Sequence, residues 1–175
     1  MTAYRRARTP GACWFFTVNL AERRGNRRLV ENVDVLRAAF STVHSRRPFH
    51  INAIVVLPDH LHCIWTLPQG DADYATRWGL IKAKFSRALP AGERINASRQ
   101  SRGERGIWQR RFWEHQIRDD RDFEQHVDYI HFNPVKHGHV SCVKDWPHSS
   151  FHRFVARGIY PLDWGGTDVR IPAGE

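Results

Sequence analysis

The sequence is poor in cysteine and in long apolar segments, and each shortage excludes a class of protein. Its three cysteines lie far apart, are odd in number and form no CxxC pair. They argue against a disulfide framework or a zinc ribbon and indicate buried thiols in a reducing cytoplasm. No segment approaches the roughly eighteen consecutive apolar residues of a membrane span. The basic N-terminus leads into only a short apolar run, so no signal peptide is predicted.

Acidic residues and lysine are also scarce. The chain has 27 Lys and Arg against 18 Asp and Glu, which gives a net charge of +9. Only four of those 27 residues are lysine, which leaves 23 arginines. The planar guanidinium matches phosphate geometry, and a basic domain of this size commonly binds nucleic acid. A biased genome composition would explain arginine over lysine, but not the excess of positive over negative charge.

The 175 residues predict one domain, residues 1–155, followed by a tail over residues 156–175. Apolar periodicity predicts strands at 12–20, 50–57, 60–67 and 107–117, and helices from Val33, at 72–89 and at 119–133. Pro58-Asp59 predicts a tight turn, so the strands on either side of it should be antiparallel neighbours. The order is that of a split β-α-β unit and predicts an α+β, ferredoxin-like (RRM-like) domain. Its mainly antiparallel sheet would have helices packed on it.

Two histidines, His60 and His62, stand two positions apart in the third predicted strand. Successive side chains of a strand point to opposite faces, so both imidazoles should project from the same face. Such a pair is typical of metal ligands or of a polar contact to an anion. The alternative is that one or both are ordinary surface histidines.

The last predicted long helix carries a tyrosine outside its apolar stripe. Tyr129 lies two residues from Val127, about 200° around a helix, and therefore points away from the predicted core side. His126 and Asn133, three residues before it and four after it, share its face. A tyrosine beside polar residues is usually a half-buried packing residue. Its phenol is a poor nucleophile unless the electrophile is activated, for instance by a metal ion on a phosphate.

Four segments resemble one family of enzymes. DHLHCIW, residues 59–65, resembles the His-hydrophobic-His motif of HUH single-strand endonucleases. DYIHFNPVKHGHV, residues 128–140, resembles the tyrosine helix of their single-tyrosine transposase branch. RRFWEHQIRDDRDF (110–123) and DWPHSSFHRF (145–154) are similar to the REP-associated tyrosine transposases of bacteria. The resemblance extends from about Trp14 to Phe154, most of the chain.

This resemblance implies a metal-dependent endonuclease and strand transferase acting on single-stranded DNA. His60 and His62 would hold Mg²⁺ or Mn²⁺, and Tyr129 would attack the scissile phosphate to give a 5′-phosphotyrosine and a free 3′-OH. The resemblance also carries the third metal ligand onto Asn133, one helical turn after Tyr129, whose amide oxygen suits these cations. Asn before Pro often caps a turn, and Pro134 disfavours helical geometry at Asn133, so the alternative is a structural cap.

The implied partner is single-stranded DNA carrying palindromic REP-like hairpins, met in the bacterial cytoplasm at the nucleoid. Some relatives exchange tyrosine helices between subunits, whereas the resemblance to the REP-associated kind favours a monomer, with a dimer as the alternative. Cations on the predicted helix 72–89 and near the two motifs are the expected DNA contacts: Arg77, Lys84, Arg87, Arg110, Arg111 and Lys136.

Two other functions fit the same residues. A non-catalytic nucleic-acid-binding module would bind DNA without cutting it and would be indifferent to Tyr129. A zinc-dependent hydrolase built on the histidine pair would need a third strong ligand. Asp59 is adjacent, but on a continuous strand it would point to the opposite face from His60.

Overall fold

Four strands form one antiparallel sheet in the order β2-β3-β1-β4. The computed structural model describes residues 7–93 and 95–165. Within them the strands are β1 Cys13–Asn19, β2 His50–Val56, β3 His60–Thr66 and β4 Trp113–Gln116. The helices are α1 Arg28–Glu31, α2 Val33–Arg46, α3 Tyr74–Ala88, α4 Ala97–Gln100, α5 Asp120–Lys136 and α6 Phe151–Ala156, with a 3₁₀ turn at Val143–Asp145. The predicted α+β, ferredoxin-like arrangement is confirmed.

The alternation of side chains along β1 and β3 divides the core into two halves. Trp14, Phe16 and Val18 point to one face, where α2 and α3 cover them. Phe15 points to the other face, which α5 and α6 cover together with Trp146. Because the period of a strand is two residues, the same strands that bury aromatic residues under α2 and α3 present His60 and His62 to α5.

The turn between β2 and β3 places the first histidine. The backbone N–H of Leu57 donates to the carbonyl of His60 (2.9 Å), which closes a two-residue turn over Pro58-Asp59. The expected antiparallel pairing of the two strands is found. Asp59 therefore lies in the turn, and β3 begins at His60.

Helix α5 begins at a strong N-terminal cap and runs further than the sequence predicts. The Asp119 carboxylate accepts a hydrogen bond from the N–H of Asp122 (2.8 Å), which satisfies a free donor of the first turn. The helix then continues through Pro134 to Lys136. Pro134 lies so close to the C-terminus that only one intrahelical bond is lost, so Asn133 stays helical.

Arg77 does not lie on the exposed basic face of α3 where the sequence placed it. Its side chain is 1% exposed. The guanidinium forms a bidentate pair with Asp71 (2.6 and 3.1 Å) and donates to the carbonyls of Arg47, Asp73 and Pro48. With its donors used inside the fold, Arg77 is a structural residue and not a DNA contact.

Two further segments differ from expectation. The fourth strand is short, because the chain leaves the sheet between an isolated bridge at Trp108 and the start of β4. In between, Phe112 packs against Tyr74 and Trp78 on the α3 side. Between the helix predicted at 72–89 and the strand predicted at 107–117, where no element was predicted, lies the short helix α4. Of the predicted tail, residues 166–175 lie outside the described residues.

No helix among the described residues combines the length and the apolar character needed to cross a bilayer.

Candidate active site

The two histidines lie side by side on the α5 face of the sheet. His60 pairs with Asn19 of β1 in the strand register, and His62 pairs with Thr17. The ring centroids of His60 and His62 are 5.0 Å apart, and both side chains are buried, at 3% and 1% exposure. The sequence prediction that the two imidazoles share a face agrees with this geometry.

Each imidazole has one nitrogen fixed by a neighbour. Nδ1 of His60 lies 2.6 Å from a carboxylate oxygen of Asp59, and Nδ1 of His62 lies 2.8 Å from the hydroxyl of Thr17. A carboxylate only accepts, so Nδ1 of His60 carries the proton and donates it to Asp59, while the Arg23 guanidinium lies further from the same nitrogen, at 3.2 Å. The Thr17 hydroxyl can donate or accept. In the tautomer in which His62 donates to it, both rings keep the Nε2 lone pair, which is the arrangement of metal-ligating histidines.

Burial keeps these imidazoles neutral. It lowers the pKa of His60, although the Asp59 carboxylate opposes the shift. Burial also lowers the pKa of His62 well below its ordinary value, and the nearby His60 and His137 add to the effect. At neutral pH the lone pairs are therefore available to a cation.

Tyr129 meets the histidines from α5. Its ring centroid is 5.2 Å from that of His62, and the side chain is 8% exposed. Phe15 packs against both rings, nearly parallel to His62 at 5.6 Å and edge-on to Tyr129 at 5.9 Å. The tyrosine therefore faces the sheet, because α5 packs across it and buries more than the apolar stripe of Phe123, Val127 and Ile130 that the sequence predicts.

Asn133 lies one turn beyond Tyr129 with an unpartnered amide. Its side chain is fully buried, and neither Oδ1 nor Nδ2 has a hydrogen-bond partner within the described residues. His62 Nε2 is likewise buried without a partner there. Leaving buried amide atoms unpaired costs about 1–3 kcal/mol, so such a group in a native fold calls for an explanation, and an ion bound at the amide oxygen is one. Asn133 does not act as a helix cap, since the helix continues past it.

Two cations lie beside this cluster. Nζ of Lys136 lies 4.7 Å from the centroid of the Tyr129 ring. Arg23 donates through Nε to Asp59 (2.7 Å) with 44% of its side chain exposed. The ring of His137 is 5.1 Å from that of His60, and burial lowers its pKa, so it adds a neutral imidazole. A phosphate entering the site would meet positive charge from Lys136 and Arg23.

A second group of potential metal ligands, His115, Asp122 and His126, lies at the edge of the same face. Its three ligand atoms are within 4.8 Å of one another. Nε2 of His115 is 2.9 Å from one Asp122 oxygen, and Nδ1 of His126 is 3.1 Å from the other. The two rings are nearly parallel, at 15°, so their nitrogen lone pairs run side by side and do not converge on one point. The geometry therefore favours two N–H groups donating to Asp122, His115 to its carboxylate (2.9 Å) and His126 to its main-chain carbonyl (2.8 Å), over a closed metal site.

The remaining predicted DNA contacts lie apart from the histidines. A pocket of about 540 Å³ between α3 and residues 99–110 is lined by six cations: Lys82, Arg87, Arg99, Arg102, Arg105 and Arg110. Arg110 is paired with Glu104 (2.9 Å), whereas Arg87 is exposed and makes no hydrogen bond or ion pair within the described residues. Lys84 is half-buried on α3, and Arg111 is exposed just before β4.

Sequence reasoning missed the residues that orient the histidines. Thr17, which contacts His62, is a polar residue within an apolar strand, and this polar position was the available signal. Asp59 was expected on the opposite face from His60. That expectation is wrong, because Asp59 lies in the turn and not in the strand, so the alternation of side chains does not apply to it. Its carboxylate reaches the His60 imidazole.

The chain is similar over its whole length to two curated proteins. A protein of Escherichia coli (strain K12) named REP-associated tyrosine transposase is 51% identical over 175 residues, 100% of this chain and 98% of the relative. A protein of Haemophilus influenzae (strain ATCC 51907 / DSM 11121 / KW20 / Rd) named putative REP-associated tyrosine transposase is 49% identical over 173 residues, 98% of each chain. No family model matches the chain.

A solved structure shows the same fold. It is described as a REP-associated tyrosine transposase bound to a REP hairpin, and it is 50% identical to this chain. The two superpose with a TM-score of 0.82, covering 100% of this chain and 98% of the other. The resemblance inferred from the motifs is confirmed by these comparisons.

Proposed function

Because the chain belongs to the REP-associated tyrosine transposases, we propose that it cuts and rejoins single-stranded DNA beside REP-like hairpins through Tyr129. The observation that carries this proposal is the contact of Tyr129 with the histidine pair in one buried cluster, with the buried, unpartnered amide of Asn133 one helical turn further along α5. Neither a simple binding module nor a packing tyrosine requires such a cluster.

His60, His62 and Asn133 would hold a divalent cation. The donor set fits the ion: two imidazoles with free Nε2 atoms and one amide without a partner supply nitrogen and oxygen ligands. Mg²⁺ and Mn²⁺ suit a phosphate-bearing site, and the imidazoles favour Mn²⁺ slightly. When bound, the cation would polarise the scissile phosphate. Asp59 and Thr17 keep the imidazoles in the correct tautomer.

Cleavage by the Tyr129 phenol would form one bond to phosphorus and break another. Oη of Tyr129 attacks the phosphorus atom and loses its proton, while the bond from phosphorus to the 3′ oxygen breaks and that oxygen gains a proton. The 5′ end stays on Tyr129 as a phosphotyrosine ester. Because one phosphoester replaces another, a 3′-OH can attack the ester and rejoin the strand. Lys136, above the ring, and Arg23 would stabilise the charge on the phosphate.

Hairpin DNA is the proposed partner, and two observations support it. The structural relative at 50% identity is bound to a REP hairpin. In the pocket beside α3, Arg105 and Arg110 are paired with Glu93 and Glu104, and exposed Arg87 and Arg102 are suited to a phosphate backbone. Tyr129 and the histidines meet within one chain, which favours a monomer that cuts without exchanging helices. Its place of action would be the bacterial nucleoid in the cytoplasm.

Covalent trapping tests this proposal. The full chain is incubated with a labelled single-stranded hairpin with 5′ and 3′ flanks, with Mn²⁺ or with EDTA, and resolved on a denaturing gel. We expect a labelled protein-DNA adduct that requires the metal. Binding without an adduct would support the non-catalytic module instead. Cleavage with Zn²⁺ and water, without an adduct, would support the hydrolase.

A further inference from the structure

The edge of the catalytic face carries an exposed tryptophan. Trp113 on β4 is 50% exposed and is the only Trp, Tyr or Phe in the exposed class among residues 7–93 and 95–165. In the strand register Trp113 and His62 both pair with Thr17, one from each side. The three residues thus form one row across the sheet, and two strand spacings separate the outer pair, roughly 10 Å.

Two histidines hold the tryptophan in place. The ring of Trp113 is parallel to that of His115 (5.9 Å, 4°), and His115 is nearly parallel to His126 (4.8 Å, 15°). The Asp122 carboxylate accepts from His115, and the Asp122 main-chain carbonyl accepts from His126. Phe15, which also contacts His62 and Tyr129, packs edge-on against Trp113 at 5.7 Å. The indole is therefore oriented before any ligand arrives, which lowers the entropy lost on binding.

We propose that Trp113 stacks on an unpaired base of the strand being cut and so fixes the position of the scissile phosphate. The inference rests on the proposed function. The roughly 10 Å between Trp113 and His62 corresponds to about three nucleotides at the stacked spacing of roughly 3.4 Å, and to fewer when the strand is extended. A strand with its phosphate at the histidines therefore passes over this row.

Charge at the edge favours a nucleotide over an apolar partner. Arg111 is exposed two residues before Trp113, and Arg118, just after β4, has 74% of its side chain exposed. These cations can contact the phosphates on either side of the stacked base. An aromatic ring beside cations is the usual arrangement for single-stranded nucleic acid, and it tolerates any base because every base has a π-face.

Binding measurements with two variants test the role of Trp113. Trp113→Ala removes the ring, and Trp113→Phe keeps a smaller one. The matched control is Leu80→Ala, which removes an exposed apolar side chain from a different element, α3. Each protein is titrated with three probes: the flanked hairpin, the same hairpin without flanks, and an unstructured oligonucleotide. The single-stranded parts carry the fluorescent base 2-aminopurine at one position at a time.

We expect Trp113→Ala to bind the flanked hairpin and the unstructured strand about 5- to 150-fold more weakly. Binding of the hairpin without flanks should be unchanged. The 2-aminopurine signal should be quenched by wild type at one or two flank positions, and Trp113→Phe should retain most of the quenching. Unchanged affinity and quenching in Trp113→Ala, or an equal loss for all three probes, would overturn the inference.

The design separates this inference from the proposed function. Absence of a covalent adduct in the trapping experiment would refute cleavage by Tyr129. The stack would still be measured by the unstructured strand, which needs neither metal nor chemistry. Conversely, adduct formation together with normal 2-aminopurine quenching in Trp113→Ala would refute the stack and leave the proposed function standing.

Discussion

Replacing Asn133 by leucine should make the protein more stable and less able to use metal. Leucine has the same branching as asparagine but no polar atoms. In the metal-free fold the Asn133 amide is fully buried without a partner among the described residues. A buried unpaired polar group of this kind costs about 1–3 kcal/mol, and an apolar group of similar shape removes that cost.

The magnitude in the absence of metal follows from this cost. The free energy of unfolding of Asn133→Leu in EDTA should rise by about 1–3 kcal/mol. For a chain of this length each 1 kcal/mol corresponds to about 2–4 °C in Tm. The gain should approach the lower end, because the methyl groups are slightly larger than the amide atoms they replace.

In the presence of Mn²⁺, Asn133→Leu should gain less stability from the metal than the wild type does. Mn²⁺ at 100 times its Kd stabilises a protein that binds it only when folded by about 2.7 kcal/mol. If loss of the amide ligand weakens binding 100-fold, the same Mn²⁺ concentration contributes only about 0.4 kcal/mol. Asn133→Ala should likewise raise the metal concentration needed for cleavage far more than it lowers Tm.

The assay is urea or thermal unfolding of wild type and variant in EDTA and across a Mn²⁺ titration. Asn133→Asp is the matched control. It keeps an oxygen ligand but buries a charge, so it should be less stable in EDTA and should recover with Mn²⁺. A leucine variant that is less stable in EDTA yet shows the same Mn²⁺ stabilisation as wild type would refute the ligand assignment.

Three further outcomes follow from the structure. Arg77→Ala should lower the free energy of unfolding by about 3 kcal/mol in urea titrations, because Asp71 and three carbonyls lose their partner. Arg87 is exposed, so Arg87→Ala should leave the free energy of unfolding unchanged and weaken hairpin binding. Although burial opposes it, hydrogen bonds from His115 and Arg118 lower the pKa of Asp122 from 3.8 to about 2, so its ionised form contributes about 2 kcal/mol. That contribution is present above pH 3.8 and is lost as the pH falls through 2, so the difference in unfolding free energy between wild type and Asp122→Asn should shrink by about half between pH 7 and pH 3. Hairpin affinity should fall steeply with salt, and a fully paired duplex should not be cut; equal cutting of duplex would contradict the assignment.

Local pattern was enough to predict the sheet and the histidine pair. The two-residue period of β3 follows from its β-branched and aromatic composition, and the pairing across Pro58-Asp59 follows from the turn. The same period places His60 and His62 on one face whatever lies around them. Such features depend on neighbours in sequence and are therefore readable from it.

Features that depend on distant contacts could not be read in this way. Arg77 lies on a stripe of α3 that looks solvent-exposed, and only the approach of Asp71 and of the carbonyls after α2 shows that it is buried. Tyr129 seemed to point away from the core, because a helical wheel does not show how far a helix crosses a sheet. The face of the sheet that α5 covers, opposite α2 and α3, is likewise set by packing.

The most direct test of the central claim is to find which residue carries the DNA. The adduct formed with a labelled hairpin and Mn²⁺ is digested with protease and nuclease, and the modified peptide is sequenced by mass spectrometry, with Tyr129→Phe run in parallel. We predict a nucleotide on Tyr129 in the wild type, and a Phe variant that still binds the hairpin but forms no adduct. A nucleotide on Tyr74 or Tyr160, or an adduct of normal yield from Tyr129→Phe, would contradict the assignment of Tyr129 as the nucleophile.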